Sequence, residues 1–92
     1  MKIVWSVTAI ETYLHIVDYI YFKWTKKEVN NFRQLVDQLL EKLTINNQLC
    51  PPSKLLNYRK CVVSKQTSLI YYIQNDAIYL VTFIDNRALH DF

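Results

Sequence analysis

Arg59, Lys60, Tyr71, Tyr72, Arg87 and His90 are the side chains of this 92-residue chain best suited to chemistry. Arginine holds a phosphate through two parallel N–H donors, and an aromatic ring stacks a base. A neutral histidine accepts a proton near neutral pH. Together these types describe phosphate binding, with His90 as the proton acceptor if a reaction follows. A blander reading competes with it. Arg59 and Arg87 then make surface ion pairs with Asp85 or Asp91, the tyrosines are half-buried sheet residues, and His90 belongs to a frayed tail. The residues alone favour the bland reading.

Other chemistry is poorly provided for. The chain has no glycine, which excludes the phosphate loops and nucleophile elbows that need backbone without a Cβ. His15 and His90 have no second ligand at helical spacing, so no metal and no cofactor is expected. Cys61 falls mid-strand, where cysteine is more often a small core residue than a nucleophile. Cys50 and Cys61 could form one bridge, but two free thiols in a reducing cytosol are the favoured reading.

The net charge of +3 is unevenly spread. No acidic residue lies between Lys42 and Asn75, a window that holds Lys54, Arg59, Lys60 and Lys65. Such a half favours a polyanion or an acidic protein, or is simply a solvated face. The composition, 51% hydrophobic and 21% charged, fits one compact domain spanning residues 1–92. The opening MKIVWSVTAI reads as strand then helix rather than as a signal peptide. No apolar run approaches a membrane span, so a soluble, cytoplasmic protein is expected.

The elements that must position these groups follow from periodicity. Lys2–Ser6 reads as a strand. Thr8 with Glu11 forms a capping-box pattern, and Ile10, Tyr13, Leu14 and Val17 continue a helical stripe over 9–22. Thr25 with Glu28 opens a second helix over 26–44, whose stripe is Val29, Phe32, Val36, Leu39, Leu40 and Leu43. Asn46-Asn47 is expected to end it in left-handed backbone. Pro51-Pro52 starts an extended loop. Strands follow at 59–64, 68–74 and 77–84, rich in Val, Ile, Tyr and Phe. Asn75-Asp76 makes the last pair a tight hairpin, and Asp85-Asn86 supplies another turn. The predicted class is α+β in the order β-α-α-β-β-β, with a helical hairpin packed on one face of a small antiparallel sheet.

With these residues in place, the sequence resembles the RelE/ParE superfamily of toxins from bacterial type II toxin–antitoxin systems. Lys2-Ile3-Val4-Trp5 with Ala9 is similar to the family's opening strand. Leu14, Ile16, Tyr19 and Ile20, with Trp24, resemble its first helix. Tyr58-Arg59-Lys60, Leu69-Ile70-Tyr71-Tyr72-Ile73, and Ile78–Phe83 with Asp85-Asn86-Arg87 resemble its three closing strands. RelE-like members cleave messenger RNA on the ribosome; ParE-like members poison DNA gyrase. Both are neutralised by an antitoxin.

The resemblance therefore implies an antitoxin from the adjacent gene and a toxin–antitoxin hetero-oligomer. It implies mRNA on the ribosome as target, with DNA gyrase, or antitoxin binding without catalysis, as alternatives. Arg59 and Arg87 fall where ribonuclease members place functional arginines, and His90 resembles the terminal histidine of a YoeB-like subgroup. Lys54 stands near a basic loop position. The expected catalytic set is Arg59, Arg87 and His90; the expected nucleic-acid contacts are Lys54, Lys60, Lys65 and Tyr71.

Overall fold

In a computed structural model covering residues 1–92, the elements run β1 (Lys2–Trp5), α1 (Val7–Lys23), α2 (Lys26–Ile45), β2 (Arg59–Val62), β3 (Thr67–Gln74) and β4 (Ala77–Asp85). The β-α-α-β-β-β order is the one read from periodicity. Both helices lie on one face of a four-stranded sheet ordered β1-β4-β3-β2.

The sheet is mixed rather than antiparallel: β1 pairs with β4 in parallel, Lys2 opposite Ala77 and Trp5 opposite Leu80. The cause is the helical hairpin. It carries the chain out and back to the start of β1, where the Met1 amino group donates to Thr44 O at 3.4 Å. After two further hairpins β4 runs in the same sense as β1.

The start of α1 also differs from the capping-box expectation. Ser6, not Thr8, is the cap: its Oγ accepts from Ala9 N at 2.9 Å and donates to Val81 O at 2.9 Å. One hydroxyl thus closes the helix end and ties it to β4, where the register shifts by one residue. Thr12 adds a second tie, accepting from Phe83 N at 3.0 Å. At α2 the expected box is present: the Thr25 backbone N–H donates to the Glu28 carboxylate at 3.2 Å, and the Thr25 hydroxyl does too. That contact holds the Glu28 carboxyl below its ordinary range.

Positive φ falls at Asn75 (52°), Asp76 (62°) and Leu56 (51°). The first two are the predicted hairpin turn, left-handed at both central positions as the twist of paired strands favours. The expectation for Asn46-Asn47 does not hold: Asn46 is extended, with φ −131°. Its backbone N–H closes the last turn by donating to Lys42 O, so no left-handed residue is needed.

The core lies between sheet and helices. Ala9, Phe32, Val36 and Leu43 meet Cys61, Leu69, Tyr71, Ile78, Leu80 and Phe83, all nearly inaccessible. Trp5, Tyr13, Phe32 and Phe83 pack ring against ring at 5.4–5.8 Å between centroids. Such pairs add to the burial term that dominates stability.

The cysteines are joined, correcting the free-thiol expectation. The segment after α2 doubles back along β2: Lys60 N donates to Pro51 O at 3.1 Å, and Pro52 bridges to Arg59. This brings the Cys50 and Cys61 Cα atoms to 5.2 Å, within disulfide reach. The same segment covers part of the free edge of β2.

Candidate functional site

The pleat sends alternate residues of each strand to opposite faces. On β3, Leu69 and Tyr71 point to the helices, and Ser68, Ile70 and Tyr72 to the far side. This alternation decides where every predicted site residue lies.

Arg59 lies opposite Tyr71 in the β2–β3 register, so both are on the helix side. Its Nη1 donates to Cys50 O at 2.6 Å, which pins the guanidinium to the post-α2 segment. Tyr71 is fully buried and its hydroxyl donates to Asn47 O at 2.8 Å. Burial pushes that hydroxyl's pKa up. Tyr71 therefore cannot stack a base as its sequence position suggested. It fills the core, with its one polar atom satisfied.

Arg87 is held by Asp85. Its Nε donates to Oδ1 at 3.0 Å, its Nη2 to Oδ2 at 2.8 Å, and its backbone N–H to Oδ1 at 2.9 Å. This two-pronged pair lowers the Asp85 pKa to about 2, chiefly through the Arg87 hydrogen bonds, and raises that of Arg87. The bland reading of Arg87 as a surface ion pair is what the structure contains; Arg59 is different, since it bonds to backbone. Arg87 and Asp85 stand at the rim of a groove of about 700 Å³ between α1 and the β3–β4 end. Ile16, Ile20, Phe32 and Phe83 line it, with Glu11 and His15 also on its wall.

His90 lies on the other side of the sheet. Its ring packs against Phe92 (6.2 Å between centroids), and Phe92 stacks on Tyr58 (6.1 Å). The His90 Nδ1 is buried without a partner. Lys60 is half-buried on the same far face. Lys54 and Lys65 are exposed beyond opposite ends of β2. The fold thus brings Arg59 to Tyr71 and Arg87 to Asp85. It does not bring Arg59, Arg87 and His90 to one point.

The far face carries a feature that the sequence reading missed. Tyr58, just before β2, forms a row with Tyr72 of β3 and Tyr79 of β4: Tyr58–Tyr72 at 5.8 Å and 27°, Tyr72–Tyr79 at 5.1 Å and 10°. A signal for half of it was available. A two-residue turn at Asn75-Asp76 dictates that Tyr72 faces Tyr79 across the hairpin.

The fold is that of a class of small toxins, the RelE/ParE superfamily. The family described as "ParE toxin of type II toxin-antitoxin system, parDE" matches residues 3–88, and the chain belongs to it. Among solved structures it is similar to the chromosomal ParDE system of P. aeruginosa, with a TM-score of 0.78 and 15% identity over 92% of this chain and 95% of that one. It is also similar to the YoeB/ParE toxin of Agrobacterium tumefaciens (TM-score 0.66, 11% identity, 94% and 99% covered). The YoeB–YefM complex of Staphylococcus aureus is a third (0.61, 19%, 91% and 94%). A search of curated proteins gives no significant match.

Proposed function

We propose that this toxin disables its target by binding rather than by cutting RNA, with DNA gyrase as the target that its ParE membership favours. The observation that carries this reading is the dispersal of Arg59, Arg87 and His90. Attack of a 2′-hydroxyl on a phosphate needs a charge stabiliser and a proton acceptor within hydrogen-bond reach of one reacting group. Here Arg59 is anchored to Cys50 O on the helix side and Arg87 is engaged by Asp85. His90 is on the far face beside Phe92. The ribosome-dependent ribonuclease implied by the wider superfamily fits this arrangement less well.

The purified protein, added to gyrase and supercoiled DNA, is expected to trap cleaved DNA or block supercoiling. A translating extract treated in parallel should show no new RNA ends. New ends that vanish in Arg87→Ala would overturn the proposal. Harmless expression together with inert gyrase would favour the third reading, an antitoxin-binding module without activity.

The same proposal includes an antitoxin from the neighbouring gene. Val7, Ile10, Leu14 and Tyr21 leave an exposed apolar strip on α1, on the flank away from the groove rimmed by Arg87. A helix or extended segment of a partner covers such a surface by its own apolar residues. Coexpression of the two genes should give a complex that copurifies. Recovery of free toxin beside a folded, abundant neighbour product would count against it.

A further inference from the structure

We propose that the Cys50–Cys61 bond is a redox latch on the segment that follows α2. Its reduction by a dithiol frees residues 48–58 and the Arg59 guanidinium while the rest of the fold stays closed. The hydrogen bonds that fasten this segment along the outer edge of β2 cluster beside the bond. Arg59 Nη1 donates to Cys50 O at 2.6 Å, Lys60 N to Pro51 O at 3.1 Å, and Ser53 N to Tyr58 O at 2.8 Å. Asn47, whose carbonyl accepts from the buried Tyr71 hydroxyl at 2.8 Å, marks where the fixed part of the chain ends.

Little else holds the segment. From Pro51 to Asn57 every residue but the half-buried Ser53 is exposed, and none belongs to the core. Leu56 is in left-handed backbone, φ 51°, where its Cβ crowds the following carbonyl oxygen. The chain has no glycine to take that position without the cost. A segment with few apolar contacts, exposed hydrogen bonds and a strained residue opens at low free energy once its covalent closure is gone. The core has other support. Cys61 is held in β2 opposite Leu69 by the strand ladder, whether or not its sulfur is bonded.

Accessibility decides which sulfur is attacked. Cys50 is 8% exposed and Cys61 1%, so exchange begins at Cys50. One thiolate of the dithiol attacks Cys50 Sγ; the bond to Cys61 breaks, and Cys61 leaves as a thiolate that takes up a proton. The second thiolate of the reductant then displaces Cys50 from the mixed disulfide. The dithiol ends as a disulfide, and two electrons and two protons have passed to the protein. Arg59 loses its fixed acceptor at Cys50 O, and the Lys60 amide loses Pro51 O at the edge of β2. An arginine that the oxidised chain commits to its own backbone is then free to meet another group. The latch stands whether or not the toxin acts on gyrase.

The test compares the full chain, oxidised and after dithiothreitol, by amide hydrogen exchange and by trypsin cleavage after the exposed Lys54. Reduction should speed exchange at Ser53 and Lys60, and cleavage after Lys54, roughly tenfold or more. The Phe83 amide, which donates to the Thr12 hydroxyl on the closed side of the sheet, should keep its protection. Cys50→Ser should match the reduced chain with or without dithiothreitol. Equal exchange and cleavage in the two states overturn the proposal, since the bond is then a passive staple. Loss of protection at Phe83 together with Lys60 overturns it too, because the bond then holds the whole fold. So does a bond that dithiothreitol opens only in denaturant, or a folded Cys50→Ser chain as protected at Lys60 as the oxidised one.

Discussion

The two faces of one sheet are built from the same strands by alternate residues, yet they do different work. The helix side is closed: Leu69, Tyr71, Ile78, Leu80 and Phe83 are shut off from solvent beneath α1 and α2. Its polar atoms have fixed partners, such as the Tyr71 hydroxyl on Asn47 O and the Arg59 guanidinium on Cys50 O. The far side is covered over Ser68, Ile70 and Thr82 but open at its tyrosine row. A tyrosine is therefore a structural residue at 71 and a surface ring at 72, and only the pleat separates the two roles.

This contrast can be broken most sharply on the closed side. Phe83→Ala removes a ring that packs on both Trp5 and Tyr13 and should cost about 3–5 kcal/mol in denaturant unfolding. Reduction of the Cys50–Cys61 bond, which spans 11 residues, should lower stability by about 2–3 kcal/mol, since the short loop gains freedom in the unfolded chain. Unfolding with and without a dithiol reads this out.

Smaller effects test single atoms and the open side. Tyr71→Phe leaves the ring but strands Asn47 O, and should cost about 1 kcal/mol. Tyr72→Leu on the far face should cost under about 1 kcal/mol, because a cross-strand pair is lost without opening the core. If the Tyr72 variant proves as damaging as Phe83→Ala, the far face is a second core.

The smallest effect belongs to Asp85. Its ordinary pKa of 3.8 is depressed to about 2 by Arg87 in the folded chain. A depressed carboxyl stabilises the fold above its unfolded pKa and loses that contribution as pH falls through the folded one. Stability should therefore decline between about pH 4 and pH 2, only weakly, because the pair is exposed to solvent. Asp85→Asn should remove this part of the acid dependence, and an NMR titration of the Asp85 carboxyl gives its midpoint directly.

Much of this architecture was legible in the residues. The apolar stripe of α2, its Thr25–Glu28 box and the Asn75-Asp76 turn are local features, each decided by neighbours within a few positions. The cap at Ser6 was harder, because its hydroxyl was selected by Val81 O as well as by the helix end. The parallel pairing of β1 was also invisible, since strand sense depends on where the whole helical hairpin returns the chain. For the candidate site, the residue types were visible but not their meeting. Arg59, Arg87 and His90 looked convergent in a flat meander; the pleat and the tail's path divide them between two faces.

By itself, then, the sequence determined the element order, the Asn75-Asp76 turn, the apolar stripes and the absence of glycine-built phosphate loops, because all of these are short-range consequences of residue type. Only the tertiary structure decided that Tyr71 is core and Tyr72 surface, that Cys50 meets Cys61, and that Phe92 returns to the tyrosine row. Those pairings join positions that the chain separates, and the strand register with the returning loops sets the distances between them.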